Sequence, residues 1–126
     1  MSALEGARVL VLEDEAILAF ALEDTLLELG CEVVGPALRL PEALSLAESE
    51  RLDAAVLDVN IGGDRSYGVA ELLERRDVPF IFATGYGRDG VEVKGPSVPV
   101  LAKPYRRDEL EAALMRLLQK RVVSNP

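Results

Sequence analysis

Residues 8–15 read RVLVLEDE, a short and nearly continuous apolar run that stops at three consecutive acids. The run is too short for a helix, and its lack of polar alternation indicates a strand covered on both faces. Four more runs share that character: Glu32–Gly35 (EVVG), Ala54–Leu57 (AAVL), Pro79–Ala83 (PFIFA) and Val98–Ala102 (VPVLA). Segments with helical spacing stand between them. The first, from about Glu15 to Leu29, sets Leu18, Leu22, Leu26 and Leu29 at i, i+4, i+8 and i+11, with Gly30 as its stop. The second spans Leu40 to Glu50, with Pro41 in its first turn and Leu40, Leu44 and Ala47 on one side. The third, about Ser66 to Arg76, carries Val69, Leu72 and Leu73. The last, about Arg107 to Lys120, has the stripe Leu110, Ala113, Leu114, Leu117 and Leu118. This alternation predicts an α/β fold, a doubly wound five-stranded parallel sheet with helices on both faces. One connection is irregular. Gly85 to Val98, GYGRDGVEVKGPSV, holds four glycines and no helical period, so the fourth helix is expected to be short, distorted or mobile.

The 126 residues fit one domain, expected over 1–126 with a core of about 7–121, and the few residues after the last helix leave no room for an effector domain. Fourteen basic against 22 acidic residues give a net charge of −8, which argues against nucleic acid and anionic membrane as partners. With no histidine, His-based triads, His-ligated zinc and an internal phosphohistidine are excluded. The single cysteine, Cys31, cannot form an internal disulfide and suits a reducing compartment. No signal peptide is visible and no run approaches the roughly 18 apolar residues of a membrane span, so the expected location is the cytoplasm.

In an open parallel sheet, ligands bind beyond the carboxyl ends of the strands. Those ends carry Glu13-Asp14-Glu15, Asp58, Thr84 and Lys103-Pro104. Each has an ordinary reading. The three acids can complement a helix dipole, Asp58 can be a turn residue before Gly62-Gly63, Thr84 can simply end a strand, and Lys103 can be solvated. Together they form a chemical set. Converging carboxylates repel unless a cation sits between them, and a hard divalent ion takes oxygen ligands. A metal, an ammonium and a hydroxyl around one carboxylate suit a transferring phosphoryl group, with that carboxylate as nucleophile.

With these residues the chain resembles the receiver domain of two-component response regulators, from Val9 to about Arg121. VLVLEDE resembles the family's first strand and acidic pair, AAVLDVNIGG its phosphoacceptor segment, FATGYG its switch-threonine segment and LAKPY its lysine-proline segment. The resemblance implies a flavodoxin-like receiver fold with strand order 2-1-3-4-5. It implies Asp58 as phosphoacceptor, with Lys103 and Thr84 as its catalytic partners. It implies Mg²⁺, or Mn²⁺, on Glu13, Asp14, Asp58 and the main-chain carbonyl of Asn60. It also implies a cis peptide at Lys103–Pro104, and Asn60 and Tyr86 as residues that tune the lifetime of the phosphoryl group. PFIFATGYG is further similar to the "FAT GUY" subgroup of single-domain receivers. Two positions depart from the pattern. Val100 stands where most receivers carry a switch aromatic, which makes Tyr86, Tyr105 and the 85–98 segment candidates for a different relay. Glu13 stands where aspartate is commoner.

The expected function is a stand-alone receiver that accepts phosphate from a sensor histidine kinase or a histidine phosphotransfer protein and acts by protein contact or phosphotransfer. It would be a monomer or a phosphorylation-dependent dimer. A receiver excised from a longer hybrid protein would read the same. A phosphate-independent scaffold is the alternative. A metal-dependent phosphohydrolase is disfavoured because Asn60 replaces its second aspartate, and a flavin carrier because Glu13-Asp14-Glu15 would repel a phosphate.

Overall fold

The computed structural model describes residues 2–85 and 99–124. In chain order the elements are β1 (Arg8–Leu12), α1 (Ala16–Glu28), β2 (Glu32–Ala37), α2 (Leu40–Ser49), β3 (Ala54–Asp58), β4 (Asn60–Ile61), β5 (Asp64–Arg65), α3 (Tyr67–Arg75), β6 (Phe80–Thr84), β7 (Val100–Ala102) and α4 (Arg107–Ser124). The five-stranded sheet runs β2-β1-β3-β6-β7, all parallel. Counting only its own strands, this is the order 2-1-3-4-5 that the resemblance implies. Tyr86 and nearly all of the 85–98 segment, including the expected fourth helix, lie outside the described residues.

Alternation along the strands builds two apolar layers, one on each face of the sheet. Leu10, Leu12, Ala55, Leu57, Phe80 and Phe82 pack with α2 and α3. Val9, Val11, Ala54, Val56 and Ile81 pack with α1 and α4. The second layer reaches back to Leu4, which is only 1% exposed although it precedes β1. Two apolar stripes turn out differently from the sequence reading. In α1 the buried residues are Ala19, Leu22 and Leu26, while Leu18 is exposed. In α2 they are Ala43 and Ala47, while Leu44 is exposed. Leu22, Leu26 and Ala47 face inward as the spacing predicts, and the small side chains of Ala19 and Ala43 join them because they let the helices lie close to the sheet. The apolar residues of α1 outnumber what one face can bury, and Ile17, Phe20 and Leu27 remain on the solvent side.

Two features were not anticipated. One is an irregularity in β2: Leu10 pairs with Val34, but Leu12 pairs with Ala37, so Gly35-Pro36 adds length to that edge. Gly35 sits at φ 99°, and a Cβ there would meet the Ala37 nitrogen at 2.6 Å, so only glycine fits. The irregularity brings the Ala37 carbonyl to the Glu13 amide, which donates to it at 3.0 Å and fixes the backbone of the first acid. The other is the antiparallel β4–β5 hairpin directly after β3.

Candidate functional site

Register decides what meets at the carboxyl edge. Leu12 pairs with Leu57, Asp58 with Ala83 and Thr84 with Ala102, so the residues ending β1, β3, β6 and β7 come out at one mouth. The pairing continues one step further, where the Lys103 amide donates to the Thr84 carbonyl at 2.9 Å. Glu13 is 4% exposed, and one oxygen from each of Glu13, Asp14 and Asp58 lies within 4.8 Å of the others. Lys103 Nζ donates to Glu13 Oε1 at 2.6 Å and lies 3.2 Å from Asp58 Oδ2. The Glu15 amide donates to Glu13 Oε2 at 3.1 Å, and the Gly62 amide to Asp14 Oδ2 at 3.0 Å.

The electrostatics follow from one ammonium facing three carboxylates. Burial, followed by the charge of Glu13, pushes Asp58 up to about 6, against the opposing pull of Lys103. Burial alone would lower Lys103, but its hydrogen bond to Glu13 and the charge of Asp58 outweigh that and raise it. Lys103 is therefore held as a cation. An all-oxygen cluster with more negative than positive charge fits a hard divalent ion such as Mg²⁺, and the donor chemistry passes that test.

The remaining expectations resolve residue by residue. Thr84 is buried at the end of β6. Lys103–Pro104 is cis, as is Gly35–Pro36, which the sequence reading did not include. Tyr105 packs against the α1/α4 layer, and burial raises its phenol. Val100 pairs with Phe82 and packs against the opposite layer, so the usual aromatic slot is filled by an aliphatic residue. Asn60 opens the hairpin, paired with Arg65. The sequence reading missed Gly62 as a participant. It also missed a groove of about 470 Å³ beside the acids, lined by Glu13, Leu22, Lys103, Tyr105 and Leu110. The signal for the hairpin was present: a Gly-Gly pair is a two-residue hairpin turn when extended residues flank it.

A doubly wound α/β protein with an acidic, lysine-bearing mouth at its switch point is the class this fold and site define. Within that class, residues 9–115 match the family model for the response regulator receiver domain, and the chain belongs to that family. Among solved structures it is similar to SdrG from Sphingomonas melonis Fr1, with 44% identity and a TM-score of 0.80, covering 94% of this chain and 99% of that one. It is also similar to TrrA from Thermotoga maritima, solved in complex with Mg²⁺-BeF, with 26% identity and a TM-score of 0.77, covering 88% and 98% of the two chains. The transcriptional regulatory protein PdtaR of Mycobacterium tuberculosis is 33% identical over 111 residues, 85% of this chain and 54% of its own length. The chain spans about half the length of the curated relatives it matches. Among the described residues, no helix is long and apolar enough to cross a membrane.

Proposed function

We propose that residues 1–126 form one cytoplasmic receiver domain of the FAT GUY subgroup, which accepts a phosphoryl group on Asp58. The observation that carries the reading is the placement of Lys103 between Glu13 and Asp58, with Asp14 completing the acidic cluster. The donor is the phosphohistidine of a sensor histidine kinase or histidine phosphotransfer protein, since this chain contains no histidine of its own. A carboxylate oxygen of Asp58 attacks phosphorus, and the P–N bond breaks with its electron pair passing to the imidazole. Lys103 faces the carboxylate as a fixed cation and offsets charge on the phosphoryl oxygens. Thr84, at the end of the neighbouring strand, supplies a hydroxyl to the same group. Glu13, Asp14, Asp58 and the Asn60 carbonyl would hold Mg²⁺, or Mn²⁺. When bound, the ion neutralises the acids and the incoming phosphate. The Mg²⁺-BeF complex of TrrA supports that assignment.

With Val100 in the usual aromatic position, we assign the relay away from the site to Tyr105, which packs on the α1/α4 layer and lines the same groove as Lys103, and to Tyr86. Asn60 and Tyr86 tune hydrolysis of the phosphoryl group. The output is a protein contact or onward phosphotransfer, from a monomer or a phosphorylation-dependent dimer. The test is labelling with radiolabelled acetyl phosphate or a phosphorylated kinase in Mg²⁺. The parent protein labels and Asp58→Asn does not. Labelling that survives the substitution places the nucleophile elsewhere, and a parent that labels from no donor identifies a scaffold that keeps the fold without the chemistry.

A further inference from the structure

Directly after Asp58 the chain folds back on itself. Asn60 pairs with Arg65 and Ile61 with Asp64, and the connecting Gly62 and Gly63 have φ of 59° and 92°. These are the angles of a type I′ turn, whose twist matches that of the strands it joins. The hairpin is anchored at its base. Ile61 is buried in the α2/α3 layer, and the Ser66 amide donates to the Val59 carbonyl at 2.9 Å. In such a turn the first central amide points out of the ladder and needs another acceptor. Gly62 finds one 48 residues away, at Asp14 Oδ2. Of the three clustered acids, Asp14 is the exposed one, and among the described residues it has no ion pair, because Lys103 engages only Glu13 and Asp58.

We infer that the Asn60–Arg65 hairpin is a positioning element for the cation site, with the Gly62 amide holding the Asp14 carboxylate in place. The inference rests on the metal-dependent reading above and adds to it a determinant outside the acids themselves. The same hairpin carries Asn60, whose carbonyl is assigned to the metal. Folding of the turn and uptake of the cation are therefore linked, and by reciprocity each strengthens the other. A carboxylate has two oxygens, so Asp14 can accept from Gly62 through one and face the cation through the other.

The turn can be perturbed without a clash. A Cβ on Gly62 would meet nothing within 4 Å, so a substitution there acts through its backbone angle. Valine disfavours positive φ strongly and asparagine tolerates it. Calorimetric titration with Mg²⁺ should show Gly62→Val binding about tenfold more weakly than the parent, and Gly62→Asn within about threefold of it, with all three melting within a few degrees of one another. A second measurement needs no metal. NMR exchange of the Gly62 amide with water should accelerate about tenfold in Asp14→Ala while amides of β3 are unchanged. Equal Mg²⁺ affinity in Gly62→Val and parent overturns the inference, and so does Gly62 exchange that is indifferent to Asp14. A parent protein that takes up no Mg²⁺ instead overturns the functional reading, and the exchange measurement alone then decides whether the hairpin positions Asp14.

Discussion

Replacing Asp58 with asparagine should stabilise the metal-free protein while abolishing phosphorylation. In the folded state burial and the charge of Glu13 raise this carboxyl from 3.8 to about 6, so its ionised form is disfavoured relative to the unfolded chain. A shift of that size sets a ceiling of about 3 kcal/mol on the penalty carried at neutral pH. That shift already nets the 3.2 Å ion pair with Lys103 against burial, and because the side chain retains 13% exposure, through which solvent screens part of the penalty, the net gain should be about 1 kcal/mol. For a chain of 126 residues that corresponds to a rise in Tm of about 4 °C. The pH dependence identifies the cause. A folded group that holds its proton to a higher pH than the unfolded one destabilises the fold above its folded value and has no effect below its unfolded value. The advantage of Asp58→Asn should therefore be full above about pH 7, fall by roughly half near pH 5 and vanish near pH 4. Differential scanning calorimetry of both proteins in chelator, across that range, measures it directly. Saturating Mg²⁺ should narrow the gap at neutral pH, because the ion relieves the same repulsion in the parent. A variant no more stable than the parent at neutral pH, or an advantage that persists unchanged at pH 4, refutes the argument that burial and the neighbouring acid disfavour an ionised Asp58.

Lys103→Ala should cost about 2 kcal/mol in urea unfolding without metal, since it leaves buried Glu13 facing Asp58 with no compensating ammonium, and Mg²⁺ should restore part of the loss. An unchanged midpoint would mean that the ion pairs contribute nothing net. Leu4→Ala should destabilise by about 3 kcal/mol, as for any fully buried leucine, although the residue lies ahead of the first strand. A loss under about 1 kcal/mol would show that the segment before β1 frays in solution. Burial and the charge of Glu5 push the Cys31 thiol up to about 11 from 9.0, which lowers its thiolate fraction about a hundredfold. Native protein should therefore resist iodoacetamide at neutral pH while urea-unfolded protein reacts, with the labelling followed by mass spectrometry.

The strand-end chemistry was legible because a parallel sheet leaves little freedom. Once five apolar runs alternate with helices, the residue after each run must emerge at one edge, and that rule alone selects Glu13, Asp58, Thr84 and Lys103. Strand lengths were less legible, and β2 shows why. Its extension to Ala37 depends on an irregularity at Gly35-Pro36, a pair that the sequence alone presents as a strand terminator. The inward faces of α1 and α2 were misassigned for a different reason. Spacing selects Leu22, Leu26 and Ala47 correctly but also Leu18 and Leu44, whereas close approach of helix to sheet adds Ala19 and Ala43, and packing distance is not written in a hydropathy pattern.

The hairpin after Asp58 combines both kinds of difficulty. Its turn was readable in principle, because Gly62-Gly63 between Ile61 and Asp64 is a short-range signal whose warrant is the positive φ that both positions adopt. Its role was not readable, because the hydrogen bond to Asp14 spans 48 residues and exists only after β1 and β3 have paired in register. The two observations explain each other. Local chemistry pre-forms a turn whose outward amide lacks a ladder partner, and sheet register delivers a carboxylate to it. That carboxylate is the clustered acid that, among the described residues, Lys103 leaves without an ion pair, so the loop following Asp58 completes the order of the acidic site from its exposed side.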